Sequence, residues 1–233
     1  MGYVRAGVKR QYSGTAGRVE NSQVGVFLTY ATESGSAFID RRLYLPKEWL
    51  EDQQRCKLAG IPNKTAFATK PELARQKIQG AIKEKLPFKW VTGYSIYGKD
   101  RRLRRWLEEQ EIAFVLAVPK DEPLWYEGFR QWPASEIAGQ VEPKEWQRLS
   151  AGEGAKGPRL YDWAVVPLPR LQVAEEAHLG HYLLLRRNLE EPFEVTYYVV
   201  FAPRAEASLE QLVRVAGQRW QIEQGSALNR DSN

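Results

Sequence analysis

Cysteine is almost missing from this chain: Cys56 is the only one in 233 residues. A single thiol excludes an internal disulfide framework, a cysteine zinc cluster and a redox pair, and it fits a reducing cytoplasm. Histidine is nearly as scarce. His178 and His181 lie three apart, a spacing that a helix or turn can turn towards a metal, but neither a cysteine nor an evident third ligand accompanies them. They read as ordinary polar residues near the start of a strand. Long apolar runs are also lacking, so no membrane-spanning segment is expected, and the N-terminus has no signal-peptide pattern. Neither charge dominates: 34 basic and 29 acidic residues leave +5. That balance permits contact with nucleic acid without requiring it. There is no internal repeat and no low-complexity segment.

What is present is core material. Hydrophobic residues make up 43% of the chain, enough for one sizeable domain, or one domain with a large insertion. Eight Trp and eleven Tyr supply bulk for packing, with a few left over to stack on bases.

The opening 23 residues are polar and Gly-rich. Val24 to Tyr30 and Ser36 to Leu45 then read as an antiparallel hairpin around a turn at Gly35, ended by Pro46. Lys47 to Phe67 is irregular or short-helical, broken at Pro62. Thr69 to Leu86 is a helix: Thr69 and Glu72 form a capping box, Pro71 sits in the first turn, and Leu73, Ile78, Ala81 and Ile82 give an apolar stripe. Phe88 to Gly93 is a strand, SIYGKD a loop, and Asp100 to about Gln110 a helix with Leu103, Trp106 and Leu107 inward. Ala113 to Pro119 is the next strand, completing a βαβ unit whose strands should be parallel.

From Asp121 to Pro169 the rhythm breaks. This stretch carries Trp125, Trp132, Trp146 and Trp163, two short helices near Ser135 and over Lys144 to Leu149, and the Gly-rich run SAGEGAKGPRLYDW. That run lacks the spacing and the closing Gly-Lys-Ser/Thr of a phosphate loop, so a nucleotide cofactor is excluded. Strands return at Trp163 to Leu168, His181 to Arg186 and Val195 to Phe201. Ser208 with Gln211 caps a last helix.

Arg219 and Glu223 share a face of that last helix, and Arg230 follows after six residues. With the phrases GVKRQYSGTAGRVENSQVGVFLTYA, IDRRLYLPKEW, FATKPELARQKI, WVTGYSIYGKDRRLRRWLEE, RLSAGEGAKGPRLYDWA and LVRVAGQRWQIEQ, in order from about residue 7 to residue 224, the chain resembles one branch of the insertion-sequence DDE transposases. The resemblance implies an α/β, RNase H-like fold. It implies two-metal phosphoryl transfer on DNA, with magnesium held by two Asp and one Glu. Glu223 stands at the last metal carboxylate, and Arg219 lies near the catalytic site against DNA. Arg230 falls, by count, at the Lys or Arg position that closes the family's signature.

The chain also departs from that pattern. The family's first Asp lies on a strand upstream of GVKRQYSGTAGR, where this chain reads MGYVRA. The second Asp position holds Tyr94, a neutral phenol near pH 7 and a poor magnesium ligand. Asp100 is six residues further on, too displaced to substitute. After Glu223 the sequence GSALNRDSN replaces the family's helix. The expectation is therefore an incomplete RNase H-like fold of mixed sheet and helices. It would consist of a core over residues 1–119, a β-rich insertion over 120–206 before the last catalytic helix, and a truncated final core helix over 207–233. Its function would be that of a transposase fragment without cleavage activity, cytoplasmic or nucleoid-associated, binding magnesium only weakly through Glu223. The expected partners are DNA element ends and a transposase dimer. The alternative is a non-enzymatic DNA-binding protein or an inhibitor of an intact transposase. Lys99, Arg101, Arg102, Arg104 and Arg105 are the candidate phosphate-binding cluster, set against a plain charged helix face. Lys9, Arg10 and Arg18 are weaker candidates, and Trp125 and Trp132 are candidates for stacking on frayed bases.

Overall fold

The computed structural model describes residues 5–13, 17–154, 157–169 and 178–220. It divides into two compact units, Met1–Leu86 and Pro87–Asn233.

In the first unit, β1 (Lys9–Ser13) and β2 (Arg18–Ser22) pair antiparallel, Lys9 opposite Ser22. No strand is legible in the sequence of this stretch. Its strands are polar and mostly exposed, so no apolar alternation announces them, and backbone pairing carries the hairpin instead. The expected second hairpin is there as β3 (Val24–Thr32) and β4 (Gly35–Tyr44), with a register shift between Leu28 and Thr29. Two short helices follow, α1 (Lys47–Glu51) and α2 (Gln53–Leu58). They bury Trp49 and Cys56 with Ile61. The Trp49 indole donates to the Val8 carbonyl at 2.9 Å, and the Arg55 guanidinium stacks 3.7 Å above its ring. Helix α3 (Lys70–Lys83) starts at the predicted capping box, where Thr69 N–H donates to Glu72 Oε2 at 2.7 Å and Glu72 N–H donates to Thr69 Oγ1 at 3.3 Å. Leu73 and Ile78 are buried, but Ile82 is exposed. Lys77 takes a buried place beside them, held by Asp40 at 2.8 Å. A buried ammonium needs such a partner.

The second unit is built on one six-stranded sheet. In chain order its elements are β5 (Trp90–Gly93), α4 (Ser95–Gly98), α5 (Arg101–Glu109), β6 (Ala113–Val118), β7 (Pro123–Tyr126), β8 (Arg130–Pro133), α6 (Ala134–Ala138), β9 (Gln147–Gly154), β10 (Gly157–Leu168), β11 (Leu179–Arg187), β12 (Val195–Pro203) and α7 (Leu209–Gln218). The strand order is β5-β6-β12-β11-β10-β9. β5 and β6 are parallel, as the βαβ pattern requires, and every other pair is antiparallel. This mixed sheet with its helices is compatible with an RNase H-like fold.

Period-two alternation sends the central strands' side chains to two cores. Val115, Leu184 and Val200 join Leu212, Val213 and Ala216 of α7 on one face. Leu183, Leu185 and Val199 join Leu124, Ala134 and Ile137 on the other. Helix α7 lies very close to β9. A Cβ at Gly217 would sit 2.2 Å from the Ala151 carbonyl oxygen, so only glycine fits there. The sequence reading placed a short helix over Lys144 to Leu149; only a 3-10 turn, Pro143–Glu145, forms before β9 takes over. The Gly-rich run that interrupts any strand signal is instead the arm of a hairpin, drawn into the sheet by pairing with β10. Likewise SIYGKD, read as a loop, contains the single-turn helix α4. His181 lies in β11 and is within 2.9 Å of Glu108, while the His178 carbonyl accepts from Arg204 N–H at 2.8 Å.

Candidate functional site

The parallel pair β5–β6 ends at a cleft of about 620 Å³. Its lining includes Tyr94 and Ser95 just past β5, Lys120 just past β6, Glu194 and Thr196 at the start of β12, and Arg219 at the end of α7. The topology makes this convergence. β12 runs antiparallel to β6 with Tyr197 opposite Val118, so the beginning of β12 and the end of β6 meet at one end of the sheet. Loops at the carboxyl ends of parallel strands are where α/β sheets hold ligands.

Tyr94 is fixed by the close seat of α4. A Cβ on Gly98 would fall 1.8 Å from the Ala117 carbonyl oxygen, so α4 rests directly on β6 and the chain leaves β5 at a set angle. Tyr97, one turn on, is largely enclosed. Burial, and then the neighbouring Tyr94, push its hydroxyl up to about 12. The Arg219 guanidinium stacks 4.6 Å above the Tyr94 ring, a cation–π contact at the mouth of the cleft. Thr196 accepts a hydrogen bond from Arg186 Nη2 at 3.0 Å.

The remaining predicted residues are distributed unevenly. Asp100 is spent as the N-cap of α5, its Oδ1 accepting from Leu103 N–H at 2.8 Å. Of the α5 arginines, Arg102 and Arg105 are exposed. Arg104 is only 11% exposed and is bonded at 2.6 Å to the buried Glu122 carboxylate, with Arg101 3.9 Å from the same oxygen. Lys99 is exposed at the C-cap of α4. In the first unit, Lys9 pairs with Glu48, and Arg18 pairs with Glu20 at 3.2 Å. Trp125 is 54% exposed on β7, whereas Trp132 stands edge-on to Tyr126 at 6.3 Å. Glu223 and Arg230 lie outside the described residues.

Sequence reasoning missed Lys120, Glu194 and Thr196 as cleft residues. Nothing local marks them; only the register of β12 on β6 brings them together. It also missed Glu122, which sits in the turn between β6 and β7, where no sequence pattern marks a buried carboxylate. As a metal site the described lining is a poor match. Hard divalent cations take clustered carboxylate oxygens, and here one carboxylate, Glu194, shares the cleft with Lys120 and Arg219.

No curated protein matches the chain. A family model, however, matches residues 2–152, well over half of the sequence. It spans β5, the Tyr94 turn, the arginine helix α5 and β6. Proteins of that family are nucleases and transposases that generally use divalent metal ions. On this match, the chain belongs to the DDE superfamily endonucleases.

Proposed function

We propose that this chain is a DNA-binding protein of the DDE transposase type that engages phosphodiester backbone at the β5–β6 cleft without cutting it. The observation that carries this reading is Tyr94 at the end of β5, stacked under Arg219. A phenol in the place of the second Asp withdraws one hard anionic oxygen, and the guanidinium over it adds positive charge. An arrangement of this kind suits a phosphate better than a magnesium ion. Lys120 at the cleft rim, and Arg102 and Arg105 on α5, extend the basic character. In this reading residues 120–206 are an insertion that brings Thr196 and Glu194 to the cleft, magnesium is not held tightly, and Glu223 alone does not restore it. DNA of the element ends is the natural substrate class, with Trp125 available to stack on an unpaired base.

The test is fluorescence anisotropy on labelled duplex DNA, paired with a nicking assay with and without magnesium. The expected outcome is salt-dependent binding, with no magnesium-dependent strand cleavage above background. Robust magnesium-dependent nicking that Glu223→Gln abolishes would overturn the loss of cleavage. An absence of salt-dependent binding would remove the DNA reading itself.

A further inference from the structure

The Gly-rich run SAGEGAKGPR lacks the spacing of a phosphate loop, and two of its glycines, Gly152 and Gly154, are arranged around one side chain. Arg159, on β10, folds back across the hairpin towards α7. Its Nη2 donates to the Ala151 carbonyl and, at 3.3 Å, to the Gly217 carbonyl, while its Nε donates to the Glu153 carbonyl at 3.3 Å. The guanidinium plane lies 4.4 Å from the Trp220 ring centre. The glycines leave room for it. A Cβ at Gly154 would lie 2.9 Å from Arg159 Cγ, and one at Gly152 would lie 3.2 Å from Nη2. Gly152 also has φ +100°, a conformation side chains rarely adopt.

Two physical effects meet in this socket. Carbonyls at the C-terminal end of a helix carry the negative end of its dipole, so a cation beside the Gly217 carbonyl, which also accepts from the Arg219 N–H, is favourable. Arginine is suited to the place because its flat fork donates in several directions while its face stacks on an indole. The residue between Gly217 and Trp220 that matters to the cleft is Arg219, whose guanidinium covers Tyr94.

We propose that Arg159 is a positioning residue: from the β9–β10 hairpin it fixes the end of α7 and thereby aims Arg219 over Tyr94 at the cleft. It does not touch the cleft itself. The inference rests on the DNA reading only for its consequence, not for its geometry, and two measurements keep them apart.

The first is amide hydrogen exchange by mass spectrometry on Arg159→Gln and Arg159→Lys. Exchange in peptides covering the last turn of α7 should rise about tenfold in the Gln variant, with the sheet peptides of β6 and β12 unchanged. The Lys variant should fall between, because it keeps the charge and loses the fork. Trp220→Leu, which removes the stack from the other side, should loosen the same turn, and it serves if Arg159→Gln does not fold. An unchanged α7 end, or a uniform rise across the whole unit, overturns the positioning role. The second is binding to labelled duplex DNA. Arg219→Gln and Arg159→Gln should each weaken it about tenfold, and the double variant no further. Additive losses overturn the proposal. If the parent binds no DNA, the DNA reading falls and the exchange result alone judges Arg159; if the parent binds and Arg219→Gln binds equally well, the part of Arg219 in that binding falls and exchange again judges Arg159.

Discussion

The two units solve the same problem, burying a sheet, in unequal ways. The second packs both faces of its sheet, with Leu183, Leu184 and Leu185 in succession fully enclosed on alternate sides. The first offers two separate two-stranded hairpins, of which β3–β4 is the more apolar and is only partly covered. Val26 is 1% exposed there, while Phe27 at 48%, Phe38 at 37% and Ile39 at 43% remain in contact with solvent. Two-stranded ribbons have little intrinsic stability and depend on what they pack against. Order in the first unit therefore leans on a few points, namely the Trp49 cluster and α3, whereas in the second it is spread over many.

The sharpest way to break that contrast is Trp49→Ala. It removes the largest side chain of a small core and its bond to Val8, so a loss of about 3–5 kcal/mol is expected. Hydrogen exchange should show it in peptides of residues 1–86 first. Next comes Arg104→Gln in the second unit, which strands the Glu122 carboxylate in a buried site. About 3 kcal/mol should be lost in urea unfolding, while Arg102→Gln on the exposed side of the same helix should leave the midpoint within about 0.5 kcal/mol. The third concerns pH. Tyr97 has a folded value of about 12, above the ordinary phenol near 10. Its contribution is complete below pH 10 and is lost as pH rises from about 10 to about 12, where the unfolded chain ionises first. About 2–3 kcal/mol is involved, and Tyr97→Phe should flatten that part of the stability profile. Smaller than the Tyr97 effect is Thr69→Ala, which removes the cap of α3 at a cost of about 1 kcal/mol. Circular dichroism melts would read it.

Local chemistry decided which elements could be read in advance. Helix α3 was legible because Thr69, Pro71 and Glu72 specify its start without help from the rest of the chain. β6 and β12 were legible as apolar runs of the right length. β1, β2 and β9 were not: the first two are mostly polar, and in β9 the apolar Leu149 and Ala151 are set among polar residues and glycines, so pairing does much of the work of making them strands. The site divides in the same way. Tyr94 and Arg219 were reached through short motifs, and the structure stacks them together. Lys120, Thr196 and Arg159 depend on strand register and a cross-hairpin reach, which no window of sequence displays. The α5 arginines show the remaining gap: of four similar residues around Leu103, Arg104 is anchored at 2.6 Å and Arg101 held more loosely at 3.9 Å to a buried carboxylate that sequence periodicity does not reveal.

The contact at Gly217 bears on how this architecture can be recombined. With the helix backbone resting against the Ala151 carbonyl, the hairpin and the last helix form a matched pair, much as a key is cut for one lock. Grafting either from a relative with a larger residue at that point would push the two apart. Chimaeras should exchange β9 and α7 together, or neither.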